Sequence, residues 1–191
     1  MHVIPRRDVN PIAHGLINHF GTLANVFDAR QEDLCKVEGV GEGAATLLKL
    51  VIDANRKYSI SKFGKNACLD TREKLGEYCC GLQYGRTYET LHMICLNARK
   101  RITATFLLEE GTLDNTSLHV PKIIERAMAA KANSIVITHN HPGGLAIPSD
   151  NDVLATHIVV RALKTVSIKF EDHIIVGDKN EWISMRESKY I

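Results

Sequence analysis

The chain has 191 residues, of which 45% are hydrophobic and 24% are charged, a composition typical of a folded domain in aqueous solution. Its formal net charge of +2 is too small to indicate a nucleic-acid-binding protein by itself. No apolar stretch approaches the roughly 18 residues of a membrane span, and Met1–Asp8 lacks the apolar core of a signal peptide. Five cysteines without a Cys-x-x-Cys pair favour free thiols, so we expect a cytoplasmic protein.

Residues 1–57 predict a small all-α module. Asn10-Pro11 predicts the start of a helix that runs to Phe20, because proline is favoured at the first helical position. Two shorter helices are predicted near Leu23–Phe27 and at Gln31–Lys36.

A glycine-rich turn, Gly39-Val40-Gly41, precedes a further predicted helix. This pattern resembles the helix-hairpin-helix modules that bind the DNA backbone without recognising sequence, and the N–H groups at the start of the second helix can hold a phosphate. The first 57 residues contain seven Lys or Arg and seven Asp or Glu, and Glu38 and Glu42 flank the turn. Any DNA binding is therefore expected to be weak and non-specific. The alternative is a turn that only packs helices or contacts a protein.

Residues 58–69 are polar, contain Gly64 and predict a linker to a second domain of residues 70–191. Two helices are predicted to begin at Asp70 or Thr71 and at Val120. The predicted strands are Tyr88–Leu96, Ile102–Leu108, Ser134–Thr138, Ser167–Phe170, Asp172–Val176 and Trp182–Ile183, with a hairpin turn at Gly177–Asn180. Strands that alternate with helices predict an α/β sheet covered on both faces.

Two histidines, His139 and His141, follow the apolar run Ser134–Ile137. Alternation along a strand places both on one side, and Pro142-Gly143-Gly144 ends the strand beside them. Asp152 follows eleven residues after His141. Two imidazoles and a carboxylate suit zinc, and three protein ligands leave a fourth position for water, as in catalytic sites.

Ser149 lies three residues before Asp152 and has two interpretations. A catalytic site needs a hydrogen-bond donor for the developing oxyanion, and the Ser149 hydroxyl can be that donor. Ser149 and Asp152 also have the spacing of a capping box at the start of a helix. The spacing is compatible with both interpretations.

Taken together, these segments resemble the RadC family, and the C-terminal part resembles the JAMM (MPN+) metallopeptidase domain of deubiquitinating isopeptidases. The matching segments are Pro5-Arg6-Arg7-Asp8, Val37–Gly41, Glu89, His139-Asn140-His141-Pro142, Pro148-Ser149, Asp152 and Asp172–Gly177. The chain departs from the family pattern at Gly143, where the family commonly has serine. The resemblance implies a JAMM/MPN-like mixed sheet covered by helices, preceded by the helix-hairpin-helix module.

The same resemblance implies a role for each site residue. His139, His141 and Asp152 would bind Zn²⁺, and Ser149 would stabilise the tetrahedral intermediate. Glu89 matches the family's acidic residue by its position at the opening of the first strand, and it would move a proton from water to the leaving amine. Spacing alone does not single out Glu89.

His92 and His119 are expected to be structural or surface residues, and His157 is expected to lie away from the Asp152 face of its helix. His173 is interpreted as a structural histidine with satisfied hydrogen bonds. The alternative is that His173 forms a hydrogen bond with a metal ligand and orients it.

Two functions follow. The first is a RadC-family zinc metallopeptidase or isopeptidase-like hydrolase, in which zinc-activated water attacks an amide bond of a protein or peptide, with a link to DNA. The alternative is a non-catalytic, DNA-associated protein related to repair. A zinc deaminase is excluded because the chain lacks His-x-Glu and Pro-Cys-x-x-Cys. The contiguous letters His139-Asn140-His141 differ from HNH nucleases, whose motif residues are dispersed.

Overall fold

The computed structural model describes residues 8–111, 119–178 and 181–191. The chain divides into two compact units, one ending at Tyr58 and one beginning at Ser59. Across these described ranges, no helix combines the length and hydrophobicity needed to cross a bilayer. The Pro5-Arg6-Arg7 segment and the last two residues of the expected Gly177–Asn180 turn lie outside the described residues.

The first unit is helical. It contains α1 (Asn10–Phe20), α2 (Leu23–Asp28), α3 (Gln31–Leu34) and the start of α4 (Glu42–Ser61). Pro11 lies in the first turn of α1, and the Thr22 side chain caps α2 by accepting a hydrogen bond from the Asn25 N–H. The buried side chains of this unit are Val26, Leu34, Val37, Val40 and Ala45. The helices expected in this segment are present, whereas its assignment as a DNA-binding module stays a prediction.

The second unit is an α/β domain built on a mixed five-stranded sheet. Its strands are β1 (Thr90–Leu96), β2 (Ile102–Glu110), β3 (Ser134–Asn140), β4 (Lys169–Val176) and β5 (Trp182–Ser184), and its helices are α5 (Arg72–Gln83), α6 (Val120–Ala129) and α7 (Asp150–Thr165). The strand order is β2-β1-β3-β4-β5. The β3–β4 pair is parallel, and α7 connects those two strands, whereas the β1–β2, β1–β3 and β4–β5 pairs are antiparallel.

Helices cover both faces of this sheet, as the alternation of strands and helices predicted. One face packs against α6 and α7 through Met93, Ile137, Val159 and Leu163. The other packs against α5 through residues that include Ile94, Val136 and Leu82. Because β1 and β3 are central strands with helices packed on both faces, every residue in both strands is buried.

The two strands expected at Ser167–Phe170 and Asp172–Val176 are one strand, β4, so that expectation was wrong. The pairing with β3 shifts between Phe170 and Asp172, which leaves Glu171 as an extra residue. Glu171 forms ion pairs with Lys100 and Lys169. A bulge adds one residue to a strand without ending it. Because the charged Glu171 interrupts the apolar pattern at this bulge, the sequence predicted two strands instead of one.

Gly76 of α5 is required by the close approach of Trp182 from β5. A Cβ atom at position 76 would lie 2.1 Å from Trp182 Cε2. The guanidinium of Arg72 lies over the same indole ring, 5.1 Å from its centroid. Helix α5 and strand β5 can therefore pack this closely only because residue 76 has no side chain.

We predict that Gly76→Ala destabilises the second unit by about 1–3 kcal/mol, because the new methyl group overlaps the indole ring. Gly81→Ala in the same helix is the matched control, since its Cβ would lie 3.7 Å from Ile60 Cγ1, an ordinary contact. Urea unfolding followed by fluorescence of Trp182, the single tryptophan, measures both. Equal stabilities of the two variants would contradict the packing role of Gly76.

Candidate metal centre

The end of β3 carries two histidines to the α7 side of the sheet. His139 is the penultimate residue of β3 and is 1% exposed, whereas His141 follows the strand and is partly exposed. The His141 N–H donates to the Val176 carbonyl, which extends the pairing with β4 by one residue. Both imidazoles thus lie at the carboxyl end of a central strand.

Helix α7 supplies the carboxylate through a capped N-terminus. Ser149 is the N-cap, and its hydroxyl oxygen accepts a hydrogen bond from the Asp152 N–H at 3.2 Å. Asp152 Oδ2 accepts the Ser149 N–H and the Ser149 hydroxyl, each at 2.7 Å. The capping box allowed by the sequence is therefore formed, and it fixes the carboxylate of Asp152.

The three side chains converge. The Nε2 atoms of His139 and His141 are 2.9 Å apart, and Asp152 Oδ1 lies 3.3 Å from His139 Nε2. His141 Nε2 is 3.8 Å from Asp152 Oδ2. Of the residues that the structure describes, this is the only group of three or more His, Cys, Asp or Glu placed to hold a metal ion.

A chain of hydrogen bonds behind His139 determines which of its nitrogens carries the proton. The Thr156 hydroxyl donates to the Asp152 carbonyl at 2.6 Å, so its oxygen accepts from His173 Nδ1, also at 2.6 Å. His173 Nε2 then accepts from His139 Nδ1 at 2.8 Å. A neutral His139 protonated on Nδ1 has a bare Nε2 directed at the site.

His141 is oriented by a backbone carbonyl. Its Nδ1 lies 3.0 Å from the Leu145 carbonyl, which can only accept, so Nδ1 is the protonated nitrogen and Nε2 is bare in the neutral ring. The loop holding Leu145 is pressed against Gly177, where a Cβ would come within 2.5 Å of the Ala146 nitrogen. The Asp178 N–H also donates to the Gly144 carbonyl. Close backbone contact thus places the acceptor for His141.

These protonation states leave two nitrogen lone pairs and a carboxylate oxygen facing one another. Burial lowers the pKa of His139 to about 4, with a smaller lowering by His141 and an opposing effect of Asp152. Burial also lowers the pKa of His173 well below its usual range. Neutral imidazole is the form that binds metals, and a cation among the three atoms would remove their mutual repulsion. The donor set therefore fits a divalent metal ion.

Comparison with known protein families gives a match to the RadC-like JAB domain over residues 69–190. The match covers most of the chain and contains every residue of the candidate site. The chain belongs to the RadC-like JAB domain family. The family expected from the sequence motifs is thereby confirmed.

In this RadC-like JAB domain, Glu89 directly precedes β1 and does not open it. Leu91 is paired with His139, and continuing that antiparallel register by two residues sets Glu89 opposite His141. The Glu89 carbonyl accepts a hydrogen bond from the Gly111 N–H at 2.9 Å. The structure thus brings the backbone of Glu89 to the strand end that carries the histidines.

The interpretation of His173 as an ordinary structural histidine was incomplete. Its hydrogen bonds are satisfied, and one of them orients His139. Thr156 was not singled out by the sequence, although its position four residues after Asp152 is the helical spacing that places both on one face. The other histidines follow expectation in part, since His92 is buried, His119 caps α6 and His157 is exposed.

We predict that Thr156→Val weakens metal binding by about 10–100-fold while leaving all three ligands in place. Valine has nearly the same shape but cannot accept the His173 N–H, so the proton position on His139 is no longer fixed. Thr165→Val is the matched control on the same helix, because Thr165 is exposed and its hydroxyl donates to the Ala162 carbonyl. Competition of each protein with a chromogenic zinc chelator gives the affinities. Equal affinities of the two variants would contradict this role of Thr156.

Proposed function

We propose that this RadC-like JAB domain is a zinc-dependent hydrolase that cleaves a peptide or isopeptide bond. The observation that supports the proposal is the convergence of two bare imidazole nitrogens with the Asp152 carboxylate. The side chains of His141 and Asp152 are 22% and 16% exposed, so solvent and a substrate can reach the site. A three-ligand, solvent-accessible site is typical of catalytic zinc, whereas structural zinc has four protein ligands.

Zinc at this site would supply a Lewis acid that polarises the scissile carbonyl and lowers the pKa of a water molecule. His139, His141 and Asp152 would hold it. The ligand atoms of these three side chains lie within 4.8 Å of one another, and the buried position of His139 excludes water from one side. The residues of the chain therefore provide a pre-organised site.

Glu89 is proposed as the group that transfers the proton. Hydrolysis of an amide adds water across the C–N bond, and one water proton must reach the departing nitrogen. A Glu89 carboxylate near His141 would accept that proton from water and donate it to the amine. This assignment is supported by the position of Glu89, two residues before Leu91, which pairs with His139.

Ser149 is proposed as the donor that stabilises the oxyanion. In the present arrangement its hydroxyl proton is directed to Asp152 Oδ2. The Ser149 N–H also binds this oxygen, so the carboxylate keeps one donor when the hydroxyl rotates towards the substrate. Ser149 can therefore cap α7 and act on the substrate at different steps.

DNA binding by the first unit stays a prediction. The Lys49 ammonium, in the first half of α4, donates to the carbonyls of Phe27 and Ala29 at the end of α2. The side chains of Glu38 and Glu42 are exposed on either side of the glycine turn. Because affinity for the DNA backbone depends on available cations, we place the function of the chain in the metal site.

We predict that the purified protein binds about one zinc ion per chain, because the part of the chain that the structure describes offers one set of three converging ligands. Metal content is measured by plasma mass spectrometry after zinc loading and gel filtration. His141→Ala should lose the zinc, and His157→Ala, on the exposed side of α7, should retain it. A folded wild-type protein that takes up no zinc would contradict the proposed function.

We also predict that Glu89→Gln retains zinc but loses hydrolysis by about 10²–10⁴-fold, the usual contribution of a positioned general base. Zinc-loaded protein is incubated with a library of linear peptides and Lys-ε-amide-linked peptides, and new termini are identified by mass spectrometry. Glu110→Gln is the control, since Glu110 is the last residue of the neighbouring strand β2 and forms an ion pair with Arg86. Cleavage that survives in Glu89→Gln would remove Glu89 from the mechanism, and cleavage that survives in His141→Ala would indicate a contaminating peptidase.

A further inference from the structure

Asn140, between the two histidines, faces the opposite side of the sheet. Its side chain is 4% exposed and lies on the α5 side, because neighbouring residues of a strand alternate. The Asn140 Oδ1 accepts the Thr90 N–H at 2.8 Å, and the Asn140 Nδ2 donates to the Tyr88 carbonyl at 3.0 Å. One amide group thus binds the backbone on both sides of Glu89.

The chemistry of these partners fixes the orientation of the amide. A backbone N–H can only donate and a carbonyl can only accept, so oxygen must face Thr90 and nitrogen must face Tyr88. The pairing replaces the regular ladder at the point where β1 begins. It explains why Glu89 lies just outside the strand and yet remains next to β3.

A buried polar cluster supports the amide from behind. The Thr90 hydroxyl lies 3.0 Å from Asn140 Oδ1 and 2.5 Å from Gln83 Oε1. Gln83 Nε2 in turn lies 3.2 Å from the Thr90 carbonyl and 3.3 Å from the Thr138 carbonyl. Gln83, at the end of α5, therefore ties β1 and β3 together under the metal centre, where a partner is needed for each buried polar group.

We propose that Asn140 is a positioning residue that holds Glu89 at the metal centre from the far side of the sheet. The inference rests on the proposed function, because Glu89 is the proton-transfer group there. His139 and His141 face the candidate metal site, and Asn140 between them holds the segment around Glu89. The end of β3 thus positions both the histidine ligands and the Glu89 carboxylate.

The test is a double-mutant cycle on metal affinity. Cobalt(II), a coloured substitute for zinc, is titrated into metal-free protein. Because a carboxylate close to a divalent cation attracts it, Glu89→Gln should weaken cobalt binding by about tenfold. Asn140→Ala should weaken it similarly, because Glu89 is released. In the double variant the loss should not exceed that of Glu89→Gln by more than about twofold.

Asn97→Ala is the matched control. The Asn97 Oδ1 accepts the N–H groups of Arg99 and Arg101 at the opposite end of β1, so this asparagine also binds two backbone groups. Its replacement should leave cobalt affinity unchanged. If Asn140→Ala fails to fold, Thr90→Val gives the second test, since it keeps the N–H bond to Asn140 and removes the hydroxyl. It should show a smaller loss that also disappears in the Glu89→Gln background.

Hydrogen exchange followed by NMR reports the backbone directly. Asn140→Ala should speed exchange of the Thr90 and Gly111 amides, because these donate to Asn140 and to the Glu89 carbonyl. Unchanged exchange, an unchanged cobalt affinity in Glu89→Gln, or a full additional loss in the double variant would each overturn the inference.

Where peptides are cleaved, Asn140→Ala should lower kcat with KM within about twofold. Coupling in the cobalt cycle without any peptide cleavage would contradict hydrolysis and leave the positioning role intact.

Discussion

The Thr156 hydroxyl proton sets the direction of the hydrogen bonds behind the metal centre. It is donated to the Asp152 carbonyl, so the hydroxyl oxygen accepts from His173, which accepts from His139. A reversal at any point would place two acceptors or two donors together in a buried region, where unpaired polar groups are costly. The direction of this chain leaves His139 Nε2 bare, and the rest of the site depends on that lone pair.

The two faces of one strand end perform different tasks. On the α7 side, His139 and His141 meet Asp152, whose carboxylate is fixed by the cap at Ser149. On the α5 side, Asn140 holds the segment around Glu89. Because alternate residues of β3 face opposite sides, three consecutive residues can organise ligands and acid at once. A central strand that is covered on both faces is rigid enough to keep such positions.

The loops around the centre are held by backbone contacts. Gly177 admits the loop that carries the Leu145 carbonyl, and that carbonyl orients His141. Gly76 similarly admits Trp182 where α5 meets β5. In both places a side chain would separate segments whose contact the domain requires. Substitutions at these glycines would therefore act through geometry, without removing a polar group.

The sequence by itself determined the family, the class of fold and the group of His139, His141 and Asp152. These follow from short-range patterns, since a strand ending in His-x-His and a helix capped at Ser149 are local features. The division of β4 into two strands was wrong because a bulge breaks local periodicity without breaking the ladder. The contacts of His173, Thr156 and Asn140 were decided only by the tertiary structure. They join segments that are 17 to 52 residues apart, and their partners depend on strand register and helix packing.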